Sequence, residues 1–434
     1  MKGGFKGGVT IMLRVIEAFS GIGSQVQALK NIDVEHEIKG IIEWEIGAII
    51  AYDLLHNGGQ DLTKYRHHTK ESIVEILSEY SLSNDGSSPI TERSLSSMNI
   101  GLLRSLLCAI ERTNNFVDIT KVRGELLPEA DVLTYSFPCQ DLSVSGYWHS
   151  NSSGIDRNAK NRSTLLWEIE RILIEIDQSK RQLPRFLLME NVSNILSDKH
   201  IDNFLEFKSF LESLGYINQV YTLDARNFGT PQSRIRTYMI SVRANDLNEA
   251  DIIKDFFFMN NLEQVTIPVK KIDDYLRLDY TVEKYRIEAI ESTPAFTPSR
   301  EKIYKNNVVL ATDQKVHKNA YARTITTKQD RHPNSGIIEY KTSVLTDINS
   351  KYRNLTPREC FLLMGFSEEG FDSLVENNIP LRNGSNLLSL SKLIKLAGNS
   401  IVVPVLENIF SQIENLHGIL NTHQHEMSAG KVES

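Results

Sequence analysis

The stretch Leu13-Arg-Val-Ile-Glu-Ala-Phe-Ser-Gly-Ile-Gly23 decides the fold. Its first seven residues read as a short strand, Ser20 to Gly23 as a turn, and Ser24 to Leu29 as the start of a helix. A second strand, Ile38 to Glu43, ends beside Trp44, and a helix is expected over Glu45 to Leu55. Strand, turn, helix and strand in this order open a doubly wound α/β sheet. Strand patterns resume at Val132–Ser136, Phe186–Met189 and Tyr238–Val242, each apolar enough to be buried on both faces. Helices fit between them at Leu165–Ile176 and Ile201–Leu214.

Two regions depart from this alternation. From about His56 to Asn115 the chain is polar, with Ser-rich turns and helical apolar spacing at Ile73, Ile76 and Leu77 and again at Leu102, Leu103, Leu106 and Leu107, which reads as a helical insertion. After Arg243 short strands, turns and small helices are expected, forming a second unit over 244–392. Order returns at Leu393, a helix is expected over Val402–Ile413, and the polar tail past His417 reads as loose. The first unit is therefore 1–243 completed by 393–434.

Composition narrows the class. With 41% hydrophobic and 24% charged residues, the 434-residue chain is globular rather than disordered, fibrous or coiled-coil. No run reaches the roughly 18–20 apolar residues of a membrane span. The opening Met1-Lys-Gly-Gly reads as a flexible tail, not a signal peptide. Three cysteines, Cys108, Cys139 and Cys360, cannot staple a chain of this size and point to a reducing, cytoplasmic setting. The net charge of −7 speaks against a simple polyanion binder, but only the charge facing a nucleic acid has to be positive.

Four features carry chemistry. Phe19-Ser20-Gly21-Ile22-Gly23 lets the backbone approach a nucleotide-like ligand, but Val26 stands where a dinucleotide fingerprint needs its third glycine. Glu43, about 20 residues on, is placed to bind ribose hydroxyls. Trp44 can stack on adenine, and Asp118-Ile119, near the end of another expected strand, can contact the same base. Ribose and adenine sites without a phosphate cradle indicate S-adenosylmethionine rather than NAD. The second feature is Pro138-Cys139-Gln140 at a strand end, where α/β sheets deliver reactive groups. A lone cysteine is more often a small buried hydrophobe, the reading given to Cys108 and Cys360; the proline and glutamine around Cys139 set it apart. The third is Glu190-Asn-Val at the end of another strand. The fourth is Gln232-Ser-Arg234-Ile-Arg236, whose two arginines share a face if the segment is extended.

Together with Arg353-Asn-Leu-Thr-Pro-Arg-Glu-Cys360 and Gly398-Asn-Ser400, these segments occur in the order seen in DNA (cytosine-5)-methyltransferases, and the sequence resembles a bacterial or phage member of that family from Arg14 to about Ile409. The resemblance implies a Rossmann-like S-adenosylmethionine-dependent catalytic domain interrupted by a target-recognition domain. It implies that Cys139 attacks C6 of cytosine, that Glu190 serves N3 and the exocyclic amine, that Arg236 binds the base carbonyl, and that Arg234 holds Cys139 and the target phosphate. Phe19, Ser20, Gly21, Ile22, Gly23, Glu43, Trp44, Asp118, Ile119, Pro138, Leu165, Asn399 and Ile401 would form the cofactor site, with Thr164 beside Leu165. Gln140, Ser143, Arg162, Gln232, Arg323 and Thr324 would meet DNA.

The segment 141–161 resembles the family's mobile catalytic loop, and Arg157, Lys160 and the adjoining Arg162 stand against Asp141 and Asp156. From Arg300 to Arg331 eight Lys and Arg stand against three acidic residues, interleaved with Tyr304 and Tyr321, as suits a DNA-facing surface. No metal is expected. The expected partners of a monomeric enzyme are double-stranded DNA and a separately acting restriction endonuclease. An RNA cytosine methyltransferase of the DNA-like branch is the nearest alternative, although its members lack a large recognition domain. A catalytically idle DNA-binding regulator is another. An exocyclic-amine methyltransferase would need an Asp/Asn-Pro-Pro-aromatic motif where Phe-Pro-Cys stands.

Overall fold

A computed structural model of the chain describes residues 12–138, 155–157, 162–341, 350–382 and 384–430. Cys139, Gln140 and Ser143 lie outside the described residues, as does the side chain of Arg162. A six-stranded sheet is built from β1 (Leu13–Ala18), β2 (His36–Ile42), β3 (Val132–Tyr135), β4 (Phe186–Val192), β5 (Tyr216–Asp224) and β6 (Ile235–Arg243). Its spatial order is β2-β1-β3-β4-β6-β5. The strands β2, β1, β3 and β4 pair in parallel, while β6 runs antiparallel to both β4 and β5. The order reverses between β1 and β3, and such a switch point opens a crevice at the carboxyl ends of the strands.

The helices are α1 (Ser24–Asn31), α2 (Ile46–Asn57), α3 (Lys70–Ser78), α4 (Glu92–Ser97), α5 (Ile100–Arg112), α6 (Leu166–Gln178), α7 (Ile201–Ser213), α8 (Leu247–Met259), α9 (Glu283–Glu291), α10 (Pro298–Asn306), α11 (Pro357–Met364), α12 (Glu368–Glu376), α13 (Leu390–Asn399) and α14 (Val403–Gly430). Alternation along the strands divides the core into two layers. Leu13 and Val15 of β1 and Phe186 and Leu188 of β4 join α1, α2, α5 and α14 on one face. Ile16, Ala18, Leu187 and Met189 join α6 and α7 on the other. The insertion is helical as its spacing indicates, with α3 and α5 packed together and α5 packed on α2. A second, four-stranded sheet, β10-β9-β7-β8, is made of β7 (Val309–Thr312), β8 (Lys315–Val316), β9 (Ile337–Glu339) and β10 (Tyr352–Asn354).

Several expectations need correction. The tail past His417 is not loose: α14 continues to Gly430, with Leu416 and Leu420 buried and the His417 ring edge-on to Phe186 at 5.5 Å. A window within Leu390–Met427 is apolar enough in composition to cross a membrane, and most of that window is buried inside the protein. β5 has no counterpart in the sequence reading, because Ile217, Asn218, Gln219 and Val220 are all half-buried and give no clean alternation on this edge strand. Asp118 and Ile119 are not at a strand end. Asn114–Phe116 only bridges the edge of β2, and Val117 turns the chain away at a φ of 62°.

Beyond Arg243, α8 packs on β5 and α14, and α11 packs on α13. The Arg353–Cys360 segment is structural. Arg353, fully buried, makes a two-point ion pair with Glu359, which closes a capping box with Thr356 at the start of α11.

A candidate active site at the carboxyl edge of the sheet

A cavity of about 240 Å³ lies at the switch point. It is walled by the segments following β1, β2, β3 and β4, by Arg234 and Arg236 at the start of β6, and by the end of α13. Of the residues expected to bind cofactor or catalyse, it gathers Phe19, Gly21, Glu43, Trp44, Asp118, Ile119, Pro138, Leu165, Glu190, Arg234, Arg236 and Asn399. Ser20, Ile22, Gly23 and Ile401 do not line it. Ile22 is core. Gly23 has φ 74°, and a Cβ there would sit 2.4 Å from His56 Nε2. Ser24, the first residue of α1, accepts from the Ile401 backbone amide at 3.3 Å and meets the Ser400 hydroxyl at 3.2 Å, fastening the end of α13 to the glycine turn.

One end of the cavity has the donor set of a nucleoside site. Glu43 accepts from the Gly21 amide at 3.0 Å and from the Glu45 amide at 2.8 Å. The protein packed around it, with the nearby Glu45 charge, pushes its carboxyl up to about 7. Asn115 holds the preceding turn, exchanging hydrogen bonds with the Glu43 backbone at 3.1 and 2.9 Å. Asp118 is set by an Asx turn, accepting from the Thr120 amide and hydroxyl, and Arg171 of α6 clamps the Ile119 carbonyl from behind at 2.9 Å. Trp44, Phe19 and Ile119 add apolar walls for a flat ring, and Gly21, with φ 55° and no atom within 4 Å of where a Cβ would stand, keeps the floor open. These residues fit an S-adenosyl group: acceptors for hydroxyls and an amine, aromatic and aliphatic faces for a purine, and no phosphate cradle.

The other end is shaped for a polar base. Glu190 is buried at the end of β4, and its Oε1 lies 3.3 Å from Nε of Arg236. Burial raises its carboxyl above the usual carboxylate range, against the opposing pull of Arg236 and Arg234. The chain entering Cys139 is pinned on both sides: the Asn191 amide donates to the Phe137 carbonyl at 3.0 Å and the Ser163 hydroxyl to the Pro138 carbonyl at 2.9 Å.

Arg234 is a strap. Its guanidinium donates to the carbonyls of Ile325 (2.7 Å), Gly398 (3.1 Å) and Ser400 (2.8 Å). Gly398 is needed there, since a Cβ would meet the Thr326–Thr327 backbone at 2.5 Å.

Some expected DNA contacts lie elsewhere. Gln232 is fully buried, its amide donating to the Leu363 carbonyl and its oxygen accepting from the Ile325 amide, so it braces the core. The Thr324 hydroxyl is spent on the Ser233 carbonyl at 2.7 Å. The Arg323 side chain has no partner among the described residues and is half-buried. Tyr304 stacks on Tyr352 and bonds Glu339, whereas Tyr321 is exposed beneath the Arg226 guanidinium at 4.3 Å. Arg157 is held by Glu170 and Glu206 over the Trp167 ring. Cys108 and Cys360 are buried, as expected of small apolar side chains.

The sequence reading missed Glu45, Asp85, Gly86 and Lys395, all of which line the cavity. Lys395 could have been found, because it precedes Asn399 by four residues on one helix and shares its face. Nothing local marks the Asp85-Gly86 turn as returning to the cavity.

Comparison with known proteins agrees with this geometry. Residues 102–415 match the family described as C-5 cytosine-specific DNA methylase. The chain is 32% identical to Type II methyltransferase M2.ScrFI of Lactococcus lactis subsp. cremoris, over 93% of this chain and 99% of that one. It is also 32% identical to Orphan methyltransferase M.SssI of Spiroplasma monobiae, over 93% and 98%. In fold it is similar to the Dnmt2 methyltransferase of S. pombe (TM-score 0.53, 19% identity, 95% of this chain and all of that one) and to a DNMT2 mutant of Spodoptera frugiperda (0.55, 17%, 92% and 99%). With the family matched over most of the chain and the cofactor-type donor set in place, the chain belongs to the C-5 cytosine-specific DNA methylases, enzymes that use S-adenosyl-L-methionine to methylate cytosine in double-stranded DNA.

Proposed function

We propose that this enzyme methylates one cytosine of a specific duplex site after rotating that base into the cavity, through a covalent bond between Cys139 and C6 of the ring. The observation that carries the reading is the cavity that joins Glu43, Trp44 and Asp118 to the Glu190–Arg236 pair, at the strand end that leads into Cys139. A cytosine in the stack cannot reach a cavity at the edge of a sheet, so the base must leave the duplex.

C5 of cytosine is a poor nucleophile. Addition of the Cys139 thiolate to C6, with a proton delivered to N3 by Glu190, makes the ring an enamine that is nucleophilic at C5. Arg236 hydrogen-bonds the base carbonyl as charge builds on the ring. The cofactor supplies an electrophilic methyl on its sulfonium. C5 takes that methyl with the enamine electron pair as S-adenosylhomocysteine leaves. A water-derived base then removes the C5 proton, the C5–H electrons expel the Cys139 sulfur from C6 as a thiolate, and the N3 proton returns to Glu190, restoring the aromatic ring. Glu43 would hold the ribose, Asp118 the adenine amine, and Asn399 the inner end of the cofactor.

The recognition module falls within 244–392. Its exposed Lys302, Lys315, Lys318 and Lys328 have no acidic partner among the described residues, in keeping with a surface for phosphates, while Arg300 and Lys305 are occupied by Asp330 and Glu301. We infer a monomer working in a restriction–modification setting, where a separate endonuclease cuts the unmethylated site. The Type II designation of M2.ScrFI favours this, and the orphan designation of M.SssI describes the alternative.

The test is bisulfite sequencing of DNA from cells expressing the gene, which should return one methylated motif. A duplex carrying 5-fluorocytosine in that motif should form an adduct on Cys139 that survives denaturation. Normal turnover by Cys139→Ser would end the covalent scheme.

A further inference from the structure

We propose that Lys395 is a positioning residue for cofactor binding, which acts by neutralising Glu45 so that the neighbouring Glu43 can ionise and accept the ribose hydroxyls. The proposal rests on reading this end of the cavity as the cofactor site. Lys395 Nζ donates to both oxygens of Glu45 at 2.7 Å each and to the Asp85 carbonyl at 2.7 Å. Three distant parts of the chain thus meet at the rim: the first residue before α2, the turn of the helical insertion, and α13.

Glu45 is buried, and its backbone amide donates to the Glu43 carboxylate, so the two acids flank one short piece of chain. Like charges this close in an enclosed site oppose each other's ionisation. The Glu45 charge adds to the rise that enclosure gives the Glu43 carboxyl, against the hydrogen bond from the Glu45 backbone amide, which lowers it. The contact is tight: a Cβ on Gly86 would lie 3.0 Å from Glu45 Oε2 and 3.8 Å from the Trp44 indole nitrogen. The remaining charged groups facing this pair are few among the described residues. Lys392 of α13 feels the Glu45 charge; Asp85 projects from the insertion, its carboxylate held by the Ser87 amide; Asp118 lies across the cavity; Glu190 with Arg234 and Arg236 stands at the far end. Among them Lys395 alone forms an ion pair with Glu45.

An ionised Glu43 offers both oxygens to two hydroxyls, whereas a protonated one has a donor in the way. Without Lys395, Glu45 keeps an uncompensated charge beside Glu43, and Glu43 holds its proton to higher pH. Cofactor affinity should then fall most at the acid end of the range and recover in alkali.

The experiment is calorimetric titration of the full chain with S-adenosylhomocysteine from pH 6 to 9.5, with thermal melts checking that each variant is folded. Lys395→Met should weaken binding about ninefold at pH 6 and about fivefold at pH 7, as a one-unit rise of a Glu43 pKa near 7 requires, and converge on wild type by pH 9.5. Lys395→Arg should restore the wild-type profile. The decisive variant is Lys395→Met with Glu45→Gln, which removes both charges and leaves the strap to Asp85 broken. Recovery of affinity supports the electrostatic role. Equal weakness of the single and double variants, at every pH, overturns it in favour of a mechanical strap, and an unchanged Lys395→Met profile overturns it outright. Glu43→Ala is the control: if that variant binds normally, the cofactor reading of the cavity fails, whatever Lys395 does.

Discussion

At the nucleoside end of the cavity Glu43 is held by two backbone amides, and at the base end Glu190 faces the guanidinium of Arg236 with Arg234 behind it. Both carboxyls are enclosed, and both are pushed upward by it. Their surroundings differ in kind. Neutral amides fix the orientation of Glu43 and favour its ionised form against enclosure and the Glu45 charge. The arginines beside Glu190 oppose the rise, keeping a carboxyl that can hold a proton and also give it up. A group that binds hydroxyls needs fixed acceptor geometry, and one that serves a ring nitrogen needs a tunable proton.

If that division is correct, the largest separation comes from Glu190→Gln. The amide keeps the shape and removes the titratable proton, so methyl transfer in a single turnover should drop by about 10²–10⁴. Binding of S-adenosylhomocysteine should stay within twofold of wild type. A parallel loss of cofactor affinity would mean that the two ends are not separate. The mirror experiment is Glu43→Ala, which should raise the dissociation constant for S-adenosylhomocysteine by about 10–100-fold, or about 1.4–2.8 kcal/mol. Transfer at saturating cofactor should change far less. Comparable effects on rate and affinity would dissolve the comparison.

A subtler variant sharpens the electrostatic half. Arg236 pulls the Glu190 carboxyl down against burial. Its removal should therefore let Glu190 keep its proton to higher pH. With protonated Glu190 as the active form, the rate falls as pH rises through its pKa, so Arg236→Gln should move that falling limb upward by about one pH unit. Single-turnover rates from pH 6 to 10 read this directly, even though the maximum rate is lower. A limb that moves down, or stays, would show that another group sets it.

The two ends were unequally legible in the sequence. Glu43 and Trp44 follow from a strand end about 20 residues past a glycine turn, and Glu190 from a similar position on a later strand, because an α/β sheet puts strand ends on one edge. What local pattern does not encode is how distant segments return. Lys395 meets Glu45 across 350 positions. The two-residue spacing of Arg234 and Arg236 puts both on the cavity, but nothing in that spacing says that Arg234 is spent on the carbonyls of Ile325, Gly398 and Ser400. The direction of β6 was equally hidden, since an apolar run reads the same for either polarity; the chain reversal over 225–234 sets it. Positive charge over Arg300–Arg331 was a fair guide to sign and a poor one to role, because Tyr304, Arg300 and Lys305 are taken up by neighbours.

The smallest effect tests where this cavity gives way to the DNA surface. Arg323 follows the Gln232–Ala322 bridge, one residue before Thr324, whose hydroxyl is fixed to the Ser233 carbonyl. Its backbone is held by Ser335, and its side chain has no acidic partner among the described residues. A cation in that position neutralises at most one phosphate. Arg323→Ala should therefore weaken duplex binding only a few-fold at moderate salt and reduce the slope of log affinity against log salt by about one. Affinity for S-adenosylhomocysteine should not change. Loss of discrimination between the methylated motif and a one-base variant, with the salt slope intact, would reassign Arg323 from backbone contact to base reading, because phosphate contacts position a protein on the duplex while base-edge contacts select the sequence. Measuring the slope and the discrimination on the same pair of duplexes separates the two roles, since a phosphate contact is lost equally from both and a base contact from one.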